Sequence, residues 1–172
     1  QDLKIDTDID LDTNKSVLSC ICKMSSNESH TLQAKLYDPQ GNIVWNGNMQ
    51  DTFEIPVENT YLWSSEFPNL YQLELVLYDT NNEIIETIQE QVGFRKFTLE
   101  YGIMKLNGKR IVFHGINRHE WDPKTGRCLS QEQMEYDIHM LKALNINAVR
   151  TSHYPNQSYW YKLCDQYGIY VI

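Results

Sequence analysis

The sequence predicts a β-sandwich of about seven strands followed by parallel β/α units. Three observations predict it. Apolar and polar residues alternate with period two through the first half. A capped helix of period 3.6 follows an apolar run near residue 111. The chain then ends in the order helix, strand, helix, strand.

Leu3, Ile5, Ile9 and Leu11 alternate with polar residues, as do Leu18, Cys20, Cys22 and Met24, and then Leu32, Ala34 and Leu36. Alternation of this kind buries one face of a strand and wets the other. Asp38-Pro39-Gln40-Gly41-Asn42 reads as a turn. Leu73, Leu75 and Leu77 mark a strand closed by Asp79-Thr80-Asn81-Asn82, and Ile84 to Val92 is its return. Short strands so punctuated fit a sandwich of roughly 100 residues.

The pattern changes near Phe97. Asn107-Gly108-Lys109 makes a tight hairpin turn, and Ile111 to Ile116 reads as a buried strand. Ser130 starts a helix, with Gln133 at the reciprocal capping-box position. Met134, Ile138 and Leu141, joined by Met140 and Leu144, form its apolar stripe, and Asn145 stops it. Ile146 to Arg150 is a strand. A second helix runs from about Asn156 to Tyr167, with Trp160, Leu163 and Cys164 inward and Gly168 as its C′ residue. Ile169 to Ile172 is a third buried strand. Three such strands with two helices suit either an open doubly wound sheet or the start of a barrel. No Gly-x-Gly-x-x-Gly follows the first of them, so a dinucleotide fold has no support.

The 172 residues carry a formal net charge of −8, which argues against nucleic acid or an anionic membrane as partner. No apolar run approaches the roughly 18–20 residues that cross a bilayer, and no signal-peptide pattern is present. A cytoplasmic protein is expected. Cys20, Cys22, Cys128 and Cys164 show no zinc spacing and read as free thiols, the last two as packing residues.

Two polar clusters follow strand ends: Asn117-Arg118-His119-Glu120 and Arg150-Thr151-Ser152-His153-Tyr154-Pro155. In a parallel α/β domain the loops after the carboxyl ends of strands form the active face, so both clusters belong at one mouth. A histidine there can donate to a bound hydroxyl or move a proton near neutral pH. An arginine can hold a carboxylate by paired hydrogen bonds. Glu120 alone makes no acid–base pair and reads as structural.

Asn147-Ala148-Val149-Arg150-Thr151-Ser152-His153-Tyr154-Pro155, with Trp160-Tyr161, Asp165 and Gly168 to Ile172, resembles the first signature of glycoside hydrolase family 2. Leu106-Asn107-Gly108-Lys109 and Gly115 to Glu120, with Pro123 and Gly126, resemble the entry to the barrel of its bacterial lactose-type β-galactosidases. Leu62 to Glu66, Pro68 to Tyr71 and Val92 to Arg95 also resemble that family.

The resemblance implies an immunoglobulin-like sandwich over residues 1–96 and the first β/α units of an incomplete (β/α)8 TIM barrel over residues 97–172. It implies a retaining β-galactosidase of bacterial, cytoplasmic type, whose acid/base and nucleophile glutamates, roughly 5 Å apart, lie beyond Ile172. His119 and His153 match the two histidines expected to contact the galactosyl group, and Arg150 the arginine expected to orient the nucleophile. Magnesium (Mg2+) is expected in the parent enzyme, its ligands outside this chain, as is a jelly-roll domain before Gln1. The parent is expected to be oligomeric and the chain alone inactive. Exposed faces of a partial barrel predict self-association, or disorder within residues 111–172. Other family 2 activities, β-glucuronidase or β-mannosidase, and a non-catalytic assembly or sugar-binding module are the alternatives.

Overall fold

A computed structural model describes residues 2–24 and 30–172. The chain divides into two compact units, Gln1–Leu62 with Asn69–Lys109, and Trp63–Pro68 with Arg110–Ile172.

In the first unit, β1 (Asp2–Asp10), β2 (Lys15–Lys23) and β5 (Thr52–Glu58) form an antiparallel sheet in the order β1-β2-β5. Its partner sheet has the order β4-β3-β6-β7, from β3 (Thr31–Tyr37), β4 (Ile43–Met49), β6 (Tyr71–Tyr78) and β7 (Ile84–Val92). Seven strands in two sheets make the immunoglobulin-like sandwich. Registry follows the alternation: Leu18 lies opposite Ile55, and Leu32, Ala34 and Leu36 lie opposite Leu77, Leu75 and Leu73. These side chains meet in one core with Tyr71 and Phe94, whose rings pack edge to face at 4.9 Å. Leu11, expected to extend the first alternation, falls in the turn after β1 and is exposed.

The two turns read from sequence are built alike. The Asp38 carboxylate accepts from the amides of Gln40 and Asn42, and that of Asp79 from Asn81 and Glu83, at 2.8–2.9 Å. The Asn42 side chain, which also donates to Asp38 at 3.0 Å, and then the backbone amides hold the Asp38 carboxyl below the usual range, and the Glu83 amide foremost does so for Asp79. A hairpin of β8 (Phe97–Glu100) and β9 (Ile103–Leu106) follows. Asn107 and Gly108 then turn the chain with positive φ into β10 (Lys109–Arg110), as the Asn-Gly dipeptide requires.

In the second unit, β11 (Gly115–Arg118), β12 (Ala148–Thr151) and β13 (Tyr170–Val171) are parallel in that order. Helix α1 (Gln131–Ala143) links the first two and α2 (Ser158–Tyr167) the last two. These are the successive parallel β/α units that the sequence predicts. The Ser130 capping box forms as expected, and Asn145 leaves α1 at φ 54°. Met134, Ile138 and Leu141 pack with Val149, Trp160, Leu163, Cys164 and Ile169.

Several sequence expectations give way here. The strand expected at Ile111 to Ile116 begins only at Gly115. Before it, the Asn147 side chain replaces the ladder: its Oδ1 accepts from the His114 amide at 2.8 Å and its Nδ2 donates to the Val112 carbonyl at 2.9 Å. Val112 and Ile116 are 52% and 42% exposed, because β11 is a sheet edge outside the cluster formed by the two helices. Met140 and Leu144 are exposed, since at about 100° per residue they sit roughly 80–120° around α1 from its buried stripe. Val171 and Ile172 are also exposed, leaving Ile169 as the buried residue of that segment. The second helix starts at Ser158, not Asn156, whose amide is bound by the Tyr161 hydroxyl.

All four cysteines are free. The thiols of Cys20 and Cys22 lie 3.9 Å apart on one face of β2, and the contact with Cys22, with burial, pushes the Cys20 thiol up. Burial raises the Cys164 thiol to about 12. Cys128, expected to pack, is exposed. Iodoacetamide at neutral pH is therefore expected to label Cys128 first, with Cys164 reacting only on unfolding, a sequence readable by peptide mass spectrometry.

Candidate functional site

Parallel pairing places the two polar clusters side by side. Asn117 lies opposite Arg150 and Arg118 opposite Thr151, so His119 and His153 leave adjacent strands at their carboxyl ends. Their rings meet edge to face with centroids 5.7 Å apart, and the Tyr154 ring lies 6.3 Å from that of His119. Both histidines are exposed, so their ring nitrogens can reach a ligand. The Ser152–His153 peptide is cis.

Strand alternation sends Arg150 and Arg118 to opposite sides of the sheet. The Arg150 guanidinium is exposed and donates to Asn117 Oδ1 at 3.5 Å and to Ser152 Oγ at 3.3 Å. It thus lies at the same strand end, between the residues that precede His119 and His153, with donors available to a carboxylate. Arg118 faces the helices. Only 5% of its side chain is exposed. Its Nε donates to Asp137 on α1 at 3.0 Å and its Nη1 to Asn156 Oδ1 at 3.0 Å. Its guanidinium lies 3.7 Å over the Trp160 ring of α2 and 3.7 Å from the Glu120 carboxylate.

Glu120 is buried, and its carboxylate accepts from the Gln157 amide at 3.1 and 3.3 Å. Gln157 caps α2 without a side-chain bond of its own, so Glu120 supplies the acceptor and places negative charge at the helix N-terminus. The structural role expected for Glu120 is therefore visible as geometry. The sequence reading brought His119, His153 and Arg150 together but missed Asp137, Asn156 and Trp160 as the support beneath them. The signal available was an Asp at the polar edge of an amphipathic stripe, which reads as a solvated face until Arg118 is known to reach it.

Among the described residues no group of three or more His, Cys, Asp or Glu side chains is arranged to hold a metal ion. The residues present do not fit a magnesium site, and no step is assigned to one. The sandwich contains a cleft of about 370 Å3 walled by Leu3, Cys22, Met24, Leu32, Leu75, Leu77 and Ile88 with an acidic rim. Among the described residues no aromatic face lines it for a sugar ring to stack on. Tyr71 is consumed in the sandwich core, and Trp63 is buried in the second unit. No helix among the described residues is long and apolar enough to cross a membrane.

Two family models match the chain: "Glycosyl hydrolases family 2" over residues 1–95 and "Glycosyl hydrolases family 2, TIM barrel domain" over residues 97–172. The chain is 45% identical over 178 aligned residues to a β-galactosidase of Halalkalibacterium halodurans, covering 99% of this chain and 18% of that protein. It is 44% identical to a β-galactosidase of Streptococcus thermophilus, covering 100% of this chain and 17% of that one. Among solved structures, a β-D-glucuronidase of Dictyoglomus thermophilum superposes with a TM-score of 0.89 at 30% identity, covering 100% of this chain and 28% of that one. The chain thus spans less than a fifth of the length of these curated relatives.

Proposed function

Because the chain belongs to glycosyl hydrolases family 2, we propose that its parent protein is a retaining β-galactosidase hydrolysing terminal β-D-galactosides such as lactose. The observation that carries this reading is the 45% identity with a β-galactosidase across 99% of the chain. The adjacent exposed rings of His119 and His153 at two strand ends support it.

In the proposed mechanism the two histidines donate to galactosyl hydroxyls and tighten as charge develops on the ring. Arg150 holds the nucleophilic carboxylate in line by paired hydrogen bonds. Both catalytic glutamates and the magnesium ligands are proposed to lie outside this chain, which alone is inactive. An oligomeric parent and self-association of the isolated chain belong to the same proposal. Exposed Val112, Ile116 and Leu144 support the latter. A cytoplasmic location is proposed with it.

The test is a kinetic comparison in the full-length protein. Aryl β-galactoside, β-glucuronide and β-mannoside are assayed with and without magnesium, alongside His153→Ala. Galactoside turnover is expected, with kcat falling about 10²–10³-fold in the variant, the usual cost of one transition-state donor. Preferred turnover of the glucuronide would move the substrate to the second reading, which the likeness to the Dictyoglomus β-glucuronidase favours. Turnover of none of them would leave a non-catalytic module.

A further inference from the structure

We propose that Glu120, acting with Arg118, is a positioning residue that fixes the separation and direction of the two histidines. This rests on the reading that His119 and His153 hold the sugar.

His119 stands between two buried ionic residues, and each is fastened to the loop that carries His153. The Ser152 amide donates to the Arg118 carbonyl at 3.0 Å, and the Tyr154 hydroxyl donates to the Glu120 carbonyl at 3.1 Å. The Gln157 amide donates to the Glu120 carboxylate, and Arg118 donates to Asn156, whose own Nδ2 donates to the Tyr154 carbonyl at 3.3 Å. Residues on both sides of each histidine are thereby bound to residues on both sides of the other.

The chemistry of the fastening is informative. Burying a guanidinium and a carboxylate is expensive, and well-packed apolar residues of similar volume often stabilise as well or better. What an apolar pair cannot supply is direction. Four oriented contacts on Arg118, from Asp137, Asn156, Glu120 and the Trp160 face, set the end of β11 against α1 and α2. The histidine that follows inherits that placement. A misplacement of about 1 Å at such a site can cost about 10²-fold in rate. The ionic pair therefore serves the geometry of the mouth rather than the stability of the fold.

The experiment uses the full-length protein and nitrophenyl β-galactoside. Glu120→Gln keeps an acceptor for the Gln157 amide and removes the charge. It is expected to lower kcat about 10–100-fold with KM within about threefold. Inhibition by D-galactonolactone, whose flattened ring resembles the transition state, is expected to weaken far more than inhibition by isopropyl thiogalactoside. In a background where His119 and His153 are both alanine the same change is expected to lower kcat by less than about threefold, because Glu120 acts through those two side chains. Unchanged kcat in Glu120→Gln, or an undiminished loss from it when both histidines are already alanine, would overturn the proposal. Should Glu120→Gln not fold, Asp137→Asn loosens the other end of Arg118 from α1. It is expected to lower kcat in the same direction by less, and no change there overturns the proposal equally. Full activity in both His119→Ala and His153→Ala would instead remove the reading of the site, and with it this inference.

Discussion

Trp160→Ala is expected to destabilise the second unit by about 3–5 kcal/mol, the usual loss for removing a buried aromatic ring. Trp160 is fully buried at the centre of the cluster formed by Met134, Ile138, Leu163 and Cys164. Its ring also carries the Arg118 guanidinium at 3.7 Å, a contact that adds up to about 2 kcal/mol when desolvated. Truncation opens a cavity and leaves a buried cation with one partner fewer. Hydrogen exchange read by mass spectrometry is expected to show lost protection in α1, α2 and β12, with β2, β3 and β6 unchanged. Trp160→Phe restores a ring, and the indole nitrogen it gives up has no protein partner. It is expected to recover most of the loss. Equal loss in the two variants would mean that ring burial is not what holds this unit together.

Gly168→Ala is expected to cost more than any alanine placed at another left-handed glycine of this unit. Gly168 ends α2 at φ 69°, ψ 44°, where a Cβ costs about 1–2 kcal/mol by itself. A Cβ there would also collide with the backbone carbonyl of Ser65. The segment cannot simply retreat. Ser65 Oγ donates to the Gly168 carbonyl at 2.6 Å, and the Trp63 indole donates to the Asp165 carbonyl at 2.7 Å. Gly126 is the comparison, at φ 68° with open space where its Cβ would stand. Urea denaturation of the two alanine variants separates the effects. Gly126→Ala shows the backbone cost alone, and the excess in Gly168→Ala is the collision. No excess would mean that residues 63–68 are free to move.

The site was legible where chemistry and spacing agree. The Ser130 capping box needs only residues three apart, and the sandwich strands need only alternation. The histidines and Arg150 were legible because strand ends in a parallel sheet share one face. The exposure of Met140, Leu144, Val112 and Ile116 was not. An apolar side chain states that it can be buried, not that a neighbour exists to bury it.

By itself the sequence determined the alternating sandwich strands, the order of the parallel β/α units, the turns, the caps, and the strand ends from which His119, His153 and Arg150 project. Each of these depends on contacts between residues near in the chain or on a repeating period. Only the tertiary structure decided that Arg118 and Glu120 are buried on the helix side and bound to Asp137, Asn156 and Gln157. It alone decided that Ser65 closes over Gly168. Those partners lie 19 to 103 residues away. No local period encodes which distant group meets a buried charge, because that is fixed only when the strands and helices have packed.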